Sequence, residues 1–160
     1  MRFLIVLCLS LLCCSCSDNS VYDNYKTVSG QWSSKEPLTF KISGLDTIQP
    51  YNAFINLRNT SDYNFSNLFL ITELQYPNGK KVTDTLEYPM AYPDGTYMGD
   101  GFGDIKENKL WYKEHLVFNE AGEYSISIKH AMRQNGSVAG LETLKGITEV
   151  GVRIEKPTSK

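Results

Sequence analysis

The sequence predicts an all-β protein: a single antiparallel β-sandwich, jelly-roll or immunoglobulin-like, of about seven to eight strands. Three observations lead there. Beyond residue 20, apolar residues recur at every second position in one segment after another, which is the period of a half-buried strand. The segments are short and separated by Gly, Pro and Asn, as at Pro77-Asn78-Gly79 and Asn135-Gly136, residues that suit tight turns. No segment carries a sustained helical stripe, although 131–144 has room for a helical turn or two.

The first element stands outside the sandwich. Arg2 precedes an almost unbroken apolar run over 3–12, followed by Cys13-Cys14-Ser15-Cys16. This layout is a secretory signal, too short to span a bilayer stably as a helix. Ser15 directly before Cys16 resembles the lipobox of bacterial lipoproteins. That resemblance implies that Cys16 is diacylated, becomes the first residue after cleavage, and is acylated again. The expected organisation is a signal peptide over 1–15, a lipidated N-terminus and tether over 16–30, and the sandwich over 31–160. Ser17 argues against inner-membrane retention, so the expected address is the cell envelope, lipid-anchored at the outer membrane. Asp18 alone is a weak cue for surface display.

The strands follow in order. Leu38, Phe40 and Ile42 alternate with polar residues, and Ala53, Ile55 and Leu57 form the next stripe. Leu68, Leu70, Thr72 and Leu74 line one side of a long strand whose other side begins with Phe69 and Ile71. Apolar on both faces at its start, it belongs at a central position. The turn at 77–80 sends the chain back along 82–88 until Pro89 and Pro93 stop it, because proline donates nothing to a ladder. Segment 110–118 follows. Tyr124, Ile126, Ile128 and His130 make the clearest alternation, and Val150, Val152 and Ile154 close the fold. The expected core is Phe40, Ile55, Leu57, Leu68, Leu70, Leu74, Leu86, Leu116, Phe118, Ile126, Ile128, Val152 and Ile154.

Composition narrows the chemistry. All four cysteines, Cys8, Cys13, Cys14 and Cys16, lie in the signal or at its cleavage point. The body therefore has no disulfide scaffold, cysteine nucleophile or thiolate metal site. Sixteen basic residues against eighteen acidic ones give a net charge of −2. With no basic cluster, neither nucleic acid nor anionic lipid headgroups is an expected partner. Membrane attachment then rests on acyl chains, each buried methylene contributing about 0.8 kcal/mol.

Candidate chemistry concentrates in 92–109, where Gly95, Gly99, Gly101 and Gly103 are interspersed with Asp94, Asp100, Asp104 and Glu107. Calcium would use such oxygens, but the spacing is not that of an EF-hand. A phosphate loop is ruled out by the missing Gly-Lys-Ser/Thr ending. The favoured reading is a partner-binding loop, because glycines lose much backbone entropy on ordering and acids gain little from burial in the domain. Tyr97, Met98 and Phe102 are the expected apolar anchors, all exposed, with Asp100, Asp104 and Glu107 for polar registration.

The two histidines, His115 and His130, lack metal-site spacing, and His130 reads as a core-edge residue with a satisfied hydrogen bond. No Gly-x-Ser-x-Gly elbow supports serine catalysis. Asp84, on an apolar face, reads as buried polar pairing or an edge position. Tyr22, Tyr25, Trp32, Tyr51, Tyr63, Tyr92 and Tyr97 fall in expected loops. They are candidates for sugar stacking or interface anchoring, against the favoured reading that they cap the ends of the sandwich.

Several longer runs then point to a family. Pro50-Tyr51-Asn52-Ala53-Phe54-Ile55-Asn56-Leu57-Arg58-Asn59, Tyr63-Asn64-Phe65-Ser66-Asn67-Leu68, Gly99-Asp100-Gly101-Phe102-Gly103-Asp104-Ile105-Lys106-Glu107-Asn108 and His130-Ala131-Met132-Arg133 resemble the gliding motility lipoprotein family GldH. Val21-Tyr22-Asp23-Asn24-Tyr25-Lys26 and Asp84-Thr85-Leu86-Glu87-Tyr88 extend the likeness over nearly all of the mature chain. The resemblance implies a non-enzymatic envelope component, associated with gliding and linked secretion machinery. It acts through contacts with other envelope or motility lipoproteins and needs no cofactor, metal or small-molecule ligand. The alternatives are a lipid-anchored glycan-binding module, which the aromatics would serve, and a small hydrolase. Asp46-Thr47-Ile48 and Asp84-Thr85-Leu86 also resemble O-glycosylation sites of exported bacterial proteins. Thr47, in an expected loop, is the better candidate of the two, and Thr85 needs an edge strand to be reachable.

Overall fold

Alternation puts one side of each strand into a shared interior, and the other side faces water. In the computed structural model, which describes residues 19–158, ten strands form: β1 (Ser20–Thr27), β2 (Gln31–Ser33), β3 (Leu38–Ile42), β4 (Pro50–Asn59), β5 (Asn67–Gln75), β6 (Lys81–Pro89), β7 (Lys106–Val117), β8 (Tyr124–His130), β9 (Thr143–Lys145) and β10 (Ile147–Glu155). No helix occurs among the described residues. Two four-stranded antiparallel sheets, ordered β1-β10-β4-β7 and β3-β8-β5-β6, enclose one core, and β2 with β9 forms a small separate ribbon. The fold is thus the expected all-β sandwich.

Ile55, Leu57, Val152 and Ile154 from the first sheet meet Phe40, Leu68, Leu70, Leu74, Ile126 and Ile128 from the second, all at most 1% exposed. Phe118 joins them, whereas Leu86 and Leu116 pack against the core only half-buried. Both expected core positions fall short because β6 and β7 are edge strands, so each lacks a neighbour on one flank. These two edges are tied to each other by side chains. Tyr88 Oη donates to the Trp111 carbonyl, and Asp84 Oδ2 pairs with Lys113 Nζ at 2.9 Å and accepts from Tyr112 Oη at 3.3 Å. Asp84 is therefore both paired and on an edge.

The strand directions sort the connections into two poles. At the entry pole, where β1 begins at Ser20 and β10 ends at Glu155, lie loops 43–49, 76–80 and 118–123. At the far pole lie 28–30, 34–37, 60–66, 90–105 and 131–142. The entry-pole hairpin is the anticipated one: Gly79 has φ +86° and donates to the Tyr76 carbonyl at 2.9 Å.

Three expectations change. Ser20–Thr27 of the presumed tether over 16–30 is strand β1, hydrogen-bonded to β10 in the register Tyr22↔Ile154 and Tyr25↔Gly151. Segment 131–144 has no helical turn; a bridge, Arg133↔Gly140, and strand β9 occupy it. Trp32 and Tyr51 stand in β2 and β4 rather than in loops, and with Tyr63 they are buried, at 1%, 2% and 0% exposure. His115 departs from the even alternation of its strand with φ +52°, its N–H donating to Asn52 Oδ1 at 3.2 Å beside irregular β4–β7 pairing.

Candidate functional site

The far pole has an aromatic floor. Trp32, on β2, meets the His130 ring edge-on at 5.4 Å, and His130 Nε2 lies 3.0 Å from the Trp32 carbonyl. A carbonyl only accepts, so Nε2 carries the proton. Burial holds the His130 pKa below its ordinary value, because an imidazolium here would lose its hydration. Tyr63 is fully buried, donates to the Asn67 carbonyl at 2.6 Å, and has its phenol pKa raised by that burial. Gly146, at φ +81°, lets the chain pass so close that a Cβ there would lie 2.2 Å from Tyr63 N.

Loop 90–105 is fastened to this floor. Its first half is a small hairpin: Tyr92 N–H donates to Thr96 O at 2.8 Å and Gly95 N–H to Tyr92 O at 2.9 Å. Hydrogen bonds from Thr96 hold the Asp94 carboxyl below its usual pKa. Tyr97 Oη donates to the Tyr63 carbonyl, and Met98 N–H to Met90 O at 2.9 Å. In the second half Asp100 and Glu107 exchange both backbone hydrogen bonds, at 2.9 and 2.7 Å. Asp104 Oδ1 accepts from Ser61 N–H at 3.0 Å, and hydrogen bonds from Ser61 lower its pKa. The glycines permit close approach: a Cβ on Gly101 would meet the Ile105 carbonyl at 2.2 Å, and one on Gly99 the Glu107 carbonyl at 2.7 Å.

The six residues singled out in this loop consequently divide. Tyr97 packs against the core, and Met98 is half-buried. Glu107 belongs to the outer face of the first sheet, where Oε1 accepts from Tyr25 Oη at 2.8 Å and Oε2 from Arg58 Nε at 3.1 Å. Arg58 also reaches Glu149 and lies 4.7 Å over the Tyr25 ring. Tyr25 extends across Gly151, where a Cβ would come within 2.8 Å of its ring. Burial, then the hydrogen bond to Glu107, pushes its phenol up to about 12. Asp100, Asp104 and Phe102 remain on the surface. Phe102 is 101% exposed and stands at the apex, with Ile105 at 49% beside it.

A groove of about 890 Å³ runs along the outer face of the second sheet near the same pole, with Phe65, Phe69, Ile71 and Met132 among its lining and Arg133 and Thr85 at its rim. Thr85 is exposed on edge strand β6, whereas Thr47 is half-buried at the entry pole. Among the described residues, no three His, Cys, Asp or Glu side chains are grouped to hold a metal. Of the exposed aromatics, Trp111 stacks on Phe54 at 4.4 Å in mid-sheet, and Tyr92 and Phe102 stand apart from it on the far-pole loop. Ile105 was missed in the sequence, although an isoleucine within an acidic glycine loop was the available signal. Cys16 lies outside the described residues.

Comparison with known proteins agrees with this outline. A Christiangramia forsetii protein described as a gliding motility lipoprotein GldH homolog is 50% identical over 146 residues, covering 91% of this chain and 90% of its own length. The gliding motility lipoprotein GldH of Flavobacterium johnsoniae is 48% identical over 152 residues, covering 95% and 94%. Among solved structures, the infectious bursal disease virus VP2 subviral particle matches 84% of this chain and 32% of that chain at 14% identity, with a TM-score of 0.38. So low a score carries no functional argument. The family model for the GldH lipoprotein matches residues 20–154, from the start of β1 to the next-to-last residue of β10, and the chain belongs to the GldH lipoprotein family.

Proposed function

We propose that this protein is a lipid-anchored component of the gliding-motility machinery of the cell envelope, and of secretion linked to it, that acts by docking other envelope proteins. One observation carries the reading: Phe102 is fully exposed on a loop that the domain itself holds in place on both flanks. An apolar knob on a pre-ordered loop binds without the entropy loss of ordering that loop. Phe102 and Ile105 are the anchors, Asp100 and Asp104 flank them, and Tyr97, Met98 and Glu107 form the supporting frame. Attachment is through acyl chains on Cys16, at the outer membrane, and no catalytic step is assigned.

The experiment is affinity purification of the full-length lipidated protein from detergent-solubilised membranes. Phe102→Ala with Ile105→Ser is expected to lose the co-purifying envelope proteins while the melting temperature stays unchanged. An unaltered set of partners would sink the reading. For the anchor, Cys16→Ala is expected to accumulate as a precursor without acyl mass, and acyl mass found on Cys13 or Cys14 would refute the assignment. Thr85 is the accessible candidate for O-glycosylation, to be read as a mass difference abolished in Thr85→Ala.

A further inference from the structure

We propose that the entry pole is seated on the bilayer, with Ile48 inserted at the boundary between headgroups and acyl chains. The proposal rests on Cys16 being the acylated residue. Asn19 is already fixed to the domain, its carbonyl accepting from Lys156 N–H at 3.0 Å, and β1 starts at the next residue. Only Ser17 and Asp18 separate Asn19 from Cys16. Three extended residues span about 11 Å at most, so the domain hangs within roughly one headgroup layer of the acyl-bearing cysteine.

Register shows which part of the pole lies lowest. Ser20 pairs with Glu155, and Glu155 with Asn52. Strand β4 begins two residues nearer the membrane, at Pro50, about 7 Å beyond that row. Loop 43–49 leads into it from β3. The loop is held in shape: Asp46 Oδ1 accepts from Ile48 N–H at 2.8 Å and Gln49 N–H at 3.3 Å, while Asp46 N–H donates to Tyr51 Oη at 3.1 Å. Ile48 emerges from it 86% exposed, and Val117, paired with Pro50, adds a second apolar contact at 38%.

Charge does not choose the orientation. Charges near this pole are paired within the domain, Lys41 with Glu123, Lys81 with Glu73 and Glu155 with Lys109 and Arg153, so the contact is apolar and indifferent to lipid charge. A single isoleucine would not hold a free domain on a membrane. Tied by so short a tether it needs only to win an intramolecular contest, at the high effective concentration that a short linker imposes.

The described body has no cysteine, so single-cysteine variants are labelled cleanly. Ile48→Cys and Val138→Cys, the latter 89% exposed on the far pole, each receive a polarity-sensitive fluorophore. The mature lipidated proteins are reconstituted in phosphatidylcholine–phosphatidylethanolamine vesicles containing spin-labelled lipid. The label at position 48 is expected to be blue-shifted and quenched several-fold more than that at 138. Equal quenching at both sites, or none at 48, overturns the proposal. Intact mass separates the two layers of the argument. Acylated Cys16 with an unquenched label at 48 removes this inference alone, whereas absence of acyl mass removes the anchoring reading with it.

Discussion

The two poles of the sandwich are built from the same strands but finished differently. At the entry pole the connections are short and locked to one another: Asn78 Nδ2 donates to Glu120 Oε1 at 2.7 Å, and Gly122 sits against Pro77. At the far pole long loops fold back over Trp32, Tyr63 and His130, and the aromatic core extends out between them. Two glycines, one from each end, are needed for different reasons. Gly79 is needed for its backbone angle alone, with nothing within 4 Å of a hypothetical Cβ, whereas Gly146 is needed for both angle and space. Loop length alone does not make a mobile end. A long loop given buried partners becomes part of the framework even where most of its residues face water.

That contrast breaks most readily at the aromatic floor. Trp32→Ala, emptying a site that is 1% exposed, is expected to cost about 3–5 kcal/mol in chemical denaturation. An effect confined to a few tenths would show that the far loops stand without the floor. Next is the glycine pair. Gly146→Ala combines a left-handed backbone with a clash against Tyr63 and should cost about 2–4 kcal/mol. Gly79→Ala meets only the backbone strain, about 1–2 kcal/mol. Equal losses would erase the distinction between the poles.

A smaller effect comes from His130. Its folded pKa lies below the ordinary 6.5, so below that pH the unfolded chain binds the extra proton. The stabilisation is complete above 6.5 and declines as pH falls through it toward the lower folded value. Wild type should therefore lose melting temperature on acidification more steeply than His130→Gln, and parallel curves would contradict this. The smallest effect is at the apex. Phe102→Ala should change stability by no more than about 0.5 kcal/mol, whereas Tyr97→Ala, on the fastened part of the same loop, should be clearly destabilising. If both are silent, the loop is not fastened.

Much of this fold was legible in the sequence because its information is local. The alternations at Leu38, Phe40 and Ile42 and at Tyr124, Ile126 and Ile128 stand in β3 and β8 with the boundaries the period implies. What escaped was long-range. Strands β2 and β9, three residues each, have too few positions to show a period, and they exist because Trp32 and Leu144 pair across the sequence. Trp32 and Tyr63 look like loop aromatics until distant segments cover them. Glu107 reads as a free acid, yet its partners Tyr25 and Arg58 lie 82 and 49 positions away. The candidate surface was visible as a peculiar composition, but which of its residues face outward was decided by partners no window of sequence contains.

The pairing of β1 with β10 sets an order of events during folding. Strand β1 is the first strand of the described body to be synthesised, and its sheet neighbour among the described residues is the last, β10. It cannot take its place until Glu155 is available, and closing so long a loop is intrinsically slow. Strand β1 thus stays without its sheet partner while the rest of the chain is made. Seating β1 is then the step that completes the first sheet.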